Sequence, residues 1–146
     1  MSDSTSQKAP VLFWIISVIA IIWNAMGVYQ YLQQAYQTDA FKASMPSEEA
    51  LEMALNTPSW AMSAFAVAVF FGLLASIALI LKKRWANTLF LISLIGIIVQ
   101  MIHNVFISDS IEMMGTIAII FPIIILIIGV FLYFYSKKAI ANGWIS

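Results

Sequence analysis

Long apolar runs alternate with short polar ones along this chain. Four runs, 11–32, 60–81, 86–107 and 116–135, contain no Asp, Glu, Lys or Arg, and each is 20 to 22 residues long. About 20 apolar residues are needed to cross the hydrocarbon of a bilayer as a helix. The pattern therefore predicts an all-α polytopic membrane protein: a single domain, 1–146, built as a four-transmembrane-helix bundle. The polar stretches between the runs are short, except for 33–59. Within that stretch Ser47-Glu48-Glu49-Ala50-Leu51-Glu52-Met53-Ala54-Leu55 reads as a short helix between the first two spans. Pro46 blocks its extension backward, Ser47 suits an N-cap, and Glu48 and Glu49 favour the positive helix start. Asn56-Thr57-Pro58 ends it.

The second span carries Ala64, Ala68, Gly72 and Ser76 at intervals of four, with Ala61, Ala75 and Ala78 nearby. Small residues at helical spacing let two backbones approach, which drives packing where lipid competes with Leu and Ile. The second helix is therefore the expected centre of the bundle. The turn Lys82-Lys83-Arg84-Trp85 is tight enough to pair spans two and three as antiparallel neighbours. Pro122, inside the fourth run, frees the carbonyl of Ala118. The result is either a kink or a carbonyl turned into a cavity.

Charge adds an orientation. Lys8, Lys82, Lys83, Arg84, Lys137 and Lys138 fall on one side of the four-span arrangement and only Lys42 on the other. Basic flanks stay cytoplasmic, so both termini are expected in the cytoplasm and the 47–55 helix outside it. A cleaved leader over 1–27 fits less well, because the apolar run continues past Ala25-Met26-Gly27. The composition, 62% hydrophobic and 10% charged with no cysteine, excludes disulfides, thiolate metal sites and thiol chemistry.

Candidate chemistry is confined to a few polar groups inside the spans. Gln100, His103 and Asn104 share about one helical turn, and His103 is the only histidine. Trp23-Asn24 form a second patch, with Gly27 and Tyr31 on the same helix face as Asn24. Polar groups in lipid face a partner or a cavity. A faint repeat aligns 16–22 with 92–98 and carries Asn24 onto Gln100. That alignment predicts the two amides at one depth, meeting across the bundle axis beneath Tyr31 and His103, with Trp60 capping the same end. Asn24, Tyr31, Gln100, His103, Asn104, Trp23 and Trp60 are therefore the candidate binding residues. No span contains a carboxylate, so no acid–base pair is available. His103, Asp109 and Glu112 match no metal spacing. Neither catalysis nor a bound metal or cofactor is expected, and nothing points to nucleic acid. Amides beside aromatic rings suit a small neutral solute such as a sugar. Four helices enclose little volume, so transport implies a homodimer. The alternatives are an accessory or scaffold protein, with Asn24 and Gln100 as interhelical glue, and a binder of a quinone-like lipid-soluble molecule.

Several segments together are similar to a known pattern: Trp23-Asn24 with Gly27 and Tyr31, Thr57-Pro58-Ser59-Trp60, Ala66-Val67-Ala68-Val69-Phe70, Phe90-Leu91-Ile92-Ser93-Leu94 with Gln100-Met101, and the closing Lys137-Lys138-Ala139 with Gly143-Trp144-Ile145. Over nearly its whole length the chain resembles a family of short bacterial four-span proteins that carry the label sugar transporter. The resemblance implies a four-helix protein of the bacterial inner membrane. It carries over no functional residues.

Overall fold

The computed structural model describes residues 8–45, 47–107 and 117–146. Pro46, Asp109 and Glu112, used in the sequence reading, lie outside them. Among the described residues six α-helices follow one another: α1 (Val11–Tyr36), α2 (Asp39–Ser44), α3 (Glu48–Leu55), α4 (Ser59–Ile80), α5 (Ala86–Ile102), which runs into a π-helical turn (His103–Ile107), and α6 (Ile117–Ala141). No strand occurs among the described residues. Among them four segments are long and apolar enough to cross a membrane: Val11–Tyr36, Ser59–Ile80, Ala86–Phe106 and Ile119–Ala141.

Two of these helices outrun their apolar cores. α1 continues past Leu32 to Tyr36, where Gln37 adopts a left-handed conformation (φ 53°) and donates its N–H to the Gln33 and Gln34 carbonyls. α6 continues past Tyr135 to Ala141 through Lys137 and Lys138. Neither lysine breaks a helix, and long basic side chains reach an interface while their stems cover apolar surface. The short helix expected at 47–55 forms at Glu48–Leu55. The Ser47 hydroxyl accepts from the Ala50 N–H at 3.1 Å, satisfying one of the free amides of the first turn. A second short helix, α2, was not anticipated. Thr38 caps it, accepting from the Phe41 N–H at 3.1 Å.

α4 is the spine. α1 packs along one side of it, α5 along another, and α6 packs on α5. Ala61, Ala64, Ala68, Gly72, Ala75, Ser76 and Ala78 are all buried, as the spacing of small residues predicts. A Cβ placed on Gly96 would lie 2.9 Å from the Ala64 carbonyl oxygen and 2.9 Å from the Ala68 nitrogen. The backbones of α4 and α5 therefore touch there, and only glycine fits. Ser93 reinforces the seam by donating to the Ala68 carbonyl at 2.6 Å.

The end of the bundle that carries Lys82–Arg84 and Lys137–Lys138 is termed the basic end, and the end covered by α2 and α3 the loop end. The basic end is closed. Phe13, buried on α1, stacks near Tyr135 of α6 (6.4 Å between centroids) and meets Trp144 edge-on. Lys82 turns the chain with φ 62°, and the Lys83 N–H donates to the Ala78 carbonyl at 2.8 Å. Ser146 then pairs with the turn through two backbone hydrogen bonds, one to Lys82 and one from Arg84. The outward faces of α1 and α6 are strongly apolar. Leu12, Ile15, Ile19, Ile22 and Met26 on α1 are exposed, as are Ile120, Phe121, Ile124, Ile127, Phe131 and Phe134 on α6. Apolar surface this extensive belongs against lipid.

Candidate functional site

At the loop end the helices part around a cavity of about 340 Å³. Its floor is the start of α4, through Ala61, Met62 and Phe65. One wall is the end of α5 and the π turn, through Gln100, His103 and Asn104. The wall of α6 is Phe121, Pro122 and Ile125, and Gln34 closes the side of α1. Phe41 and Met45 from α2 and its exit, with Ala50, Met53 and Ala54 from α3, form the roof. The volume lies at the lower end of the range typical of small-molecule sites.

The roof is tied down by one side chain. Gln34 Nε2 donates to the Ala54 carbonyl at 3.1 Å and lies 3.4 Å from Thr57 Oγ1. Thr57 Oγ1 itself donates to the Ala54 carbonyl at 2.7 Å. The polar atoms of Gln34 and Thr57 are thus largely committed to holding α3 against α1. On the α5 side Gln100 differs from these. His103 is buried, with its ring edge-on to Trp60 at 5.3 Å and its Nδ1 3.2 Å from Asn104 Oδ1. Gln100 lines the cavity, and its side chain makes no hydrogen bond within the described residues. No Asp, Glu, Lys or Arg is among the described lining residues.

The π turn begins at His103, immediately after Ile102, the last residue of α5. A π turn adds a residue to the helical repeat and often accompanies a site. Here it sits where His103 and Asn104 follow Gln100 onto the cavity wall. Pro122, which cannot donate to residue 118, faces the same space.

The seven candidates from the sequence therefore divide. Gln100, His103 and Asn104 line the cavity, and Trp60 packs on His103. Tyr31 stands behind the wall, edge-on to Phe65 at 5.4 Å and to Phe70 at 5.7 Å. Trp23 and Asn24 are not part of it. The expectation that Asn24 and Gln100 meet is incorrect. Asn24 Nδ2 donates to Ser76 Oγ at 3.1 Å and to the Ala20 carbonyl at 2.9 Å. Asn24 Oδ1 occupies the space a Gly72 side chain would fill, with Ser93 Oγ on the far side of it. Gln100, by contrast, lies beyond Gly96, which rests on Ala64. The two amides are therefore separated along α4 by about ten residues, roughly 15 Å at 1.5 Å per residue. Asn24 sits against the half of α4 nearer Lys82. The Ile-rich repeat that superposed the amides reflects composition, not depth.

The side chains that do most to shape the cavity carried no distinct sequence signal. Met45, Met53, Met62, Phe41 and Phe65 are ordinary apolar residues until the helices are placed. Among the described residues no three His, Cys, Asp or Glu side chains are positioned to hold a metal ion.

Comparisons of this chain with protein-family models, with curated proteins and with solved structures give no match. What the site does is thus argued from its own walls.

Proposed function

We propose that this integral membrane protein binds a small, mostly apolar molecule with a carbonyl- or hydroxyl-bearing head, of the quinone type, in the loop-end cavity. The carrying observation is the one-sided distribution of polar groups. Gln100, His103 and Asn104 cluster on the α5 wall, and the remaining lining is apolar apart from Gln34 and Thr57, with Met and Phe as its large side chains. A head group with one or two oxygens finds partners on that wall. Its apolar body lies against flexible thioethers, which adapt to irregular shapes. A sugar fits less well. Each buried hydroxyl without a partner costs about 1–3 kcal/mol, and Gln34 and Thr57 are already engaged with Ala54.

Transport of a small neutral solute, acting as a homodimer, is the weaker reading. The backbone contact at Gly96 and the filled groove at Gly72 leave the centre of the bundle packed. No reaction is assigned to the protein. The basic flanks support both termini in the cytoplasm with α2, α3 and the cavity on the outer side, and the resemblance to short four-span proteins supports the bacterial inner membrane.

Binding is tested on the purified protein in detergent by tryptophan quenching with a short-chain quinone. Quenching should saturate, and Gln100→Leu and His103→Leu should each weaken it about tenfold or more without lowering Tm. Absence of saturable quenching, or saturable binding of a neutral hexose instead, would overturn the reading. The protein has no native cysteine, so orientation is read separately with Ser47→Cys and Lys83→Cys. The first should react with an impermeant thiol reagent from outside the cell and the second should not.

A further inference from the structure

The basic end holds a second recess of different chemistry. The first turn of α5 and the last turns of α6 leave an open groove of about 560 Å³ lined by Arg84, Trp85, Asn87, Thr88, Lys137 and Ile140. Arg84, Trp85, Thr88 and Lys137 are exposed. Asn87 fixes the spacing of its two sides, since its Nδ2 donates to Ser136 Oγ at 3.0 Å and lies 3.4 Å from the Tyr133 carbonyl. Neither Arg84 nor Lys137 makes an ion pair within the described residues. The Lys137 ammonium instead rests 5.6 Å from the centroid of the Tyr133 ring and 6.0 Å from that of Phe134. The described Asp and Glu side chains, Asp39, Glu48, Glu49 and Glu52, all belong to α2 and α3 at the opposite end.

We propose that this groove holds the phosphate head of an anionic phospholipid. Two unpaired cations beside a tryptophan, at the end of two membrane-spanning helices, match the level of the head groups. Arg84 presents a planar fork suited to phosphate oxygens, Lys137 a point charge, and Thr88 a hydroxyl. The surface next to the groove favours a lipid over a free anion. Leu91 and Ile95 are exposed and lie three and seven residues beyond Thr88, on the same stripe of α5. They continue from the charged groove directly into the apolar zone, where an acyl chain can lie.

The test titrates the purified full chain in detergent with phosphatidylglycerol, phosphatidylcholine and inorganic phosphate, reading bound lipid by native mass spectrometry. Phosphatidylglycerol should bind saturably and phosphatidylcholine at least tenfold more weakly. A basic residue near an anionic surface contributes about fivefold in affinity. Arg84→Gln and Lys137→Gln should therefore each weaken binding about fivefold, and the pair roughly twenty-five-fold. The charge-preserving pair Arg84→Lys with Lys137→Arg should retain most of it. Lys138→Gln should change nothing, because Lys138 lies over Trp144 and outside the groove. Equal losses in Lys138→Gln and the groove variants would reduce the effect to general surface charge and overturn the site. Displacement of the lipid by millimolar inorganic phosphate would reassign the groove to a free anion.

Discussion

Around Gly96 and Gly72 the helices meet backbone to backbone or through single polar atoms. Around Met62 and Phe65, roughly two to three turns from Gly72 along α4, they leave a cavity of about 340 Å³. α4 takes part in both regions, and its sequence explains the change. From Ala64 to Ala78 its buried positions are Ala, Gly and Ser apart from Val69, and the small ones let neighbours approach. Nearer its start, Met62 and Phe65 hold neighbours off. The partners differ in the same sense. Toward the basic end α1 and α6 close on each other through Phe13, Tyr135 and Trp144. At the loop end Gln34 of α1 and Phe121 of α6 lie on different walls of one space. Rigidity and room are thus provided by different parts of the same four helices. The polar groups follow suit: Asn24, Ser76 and Ser93 are consumed in packing, whereas Gln100 faces the cavity.

The sharpest way to break this contrast is to add volume on each side of it. Gly96→Val places two methyl groups where the Ala64 and Ala68 backbones already stand. Overpacking of that kind costs about 1–3 kcal/mol, and the rigid neighbours put Gly96→Val at the upper end. Met62→Leu in the cavity wall conserves volume and should cost less than about 1.5 kcal/mol. Thermal unfolding in detergent compares the two directly. If Met62→Leu proves as damaging as Gly96→Val, the loop end is as tightly packed as the seam.

The seam was legible in the sequence and the cavity only in part, for a physical reason. Ala64, Ala68, Gly72 and Ser76 announce their role by spacing, because small residues at intervals of four have one structural use in a membrane helix. Ser47 announced the start of α3 through its position before Glu48 and Glu49. The polar stretch Gln100-Met101-Ile102-His103-Asn104 marked one wall. The other walls depend on which helices converge, and Met and Phe give no hint of that. Depth was misjudged because α1 runs four residues past Leu32, and because two Ile-rich segments align whatever their position. Thr38 could have revealed α2 as a cap, but α2 has six residues and too few turns for a period to show.

A smaller effect tests the roof. Gln34 is the side chain on α1 that binds the end of α3. Gln34→Leu removes a hydrogen bond of about 0.5–1.5 kcal/mol. The Ala54 carbonyl keeps its bond from Thr57, so no acceptor is left bare. Hydrogen exchange over 47–57 should quicken about two- to tenfold while exchange in α4 and α5 stays as it was. Uniform acceleration along the chain would mean that α3 belongs to the rigid region and does not form a separable cover.

The smallest expected effect lies deepest in the packed region. Asn24→Leu removes the donor to Ser76 Oγ and the oxygen lodged at Gly72. Ser76 still donates to the Gly72 carbonyl at 2.8 Å, and the Ala20 carbonyl keeps its place within α1. No buried partner is therefore stranded. Hydrogen bonds between membrane helices average about 0.6 kcal/mol, and leucine matches asparagine in the number and branching of its side-chain heavy atoms. Stability should fall by about that amount or less, and quinone quenching should be unchanged, because the cavity begins roughly 15 Å away at 1.5 Å per helical residue. A tenfold loss of binding in Asn24→Leu would show that the packed and open regions move together. Gly72, which touches the Asn24 amide on one side and Ser93 on the other, would then be the point through which α1 reaches α5.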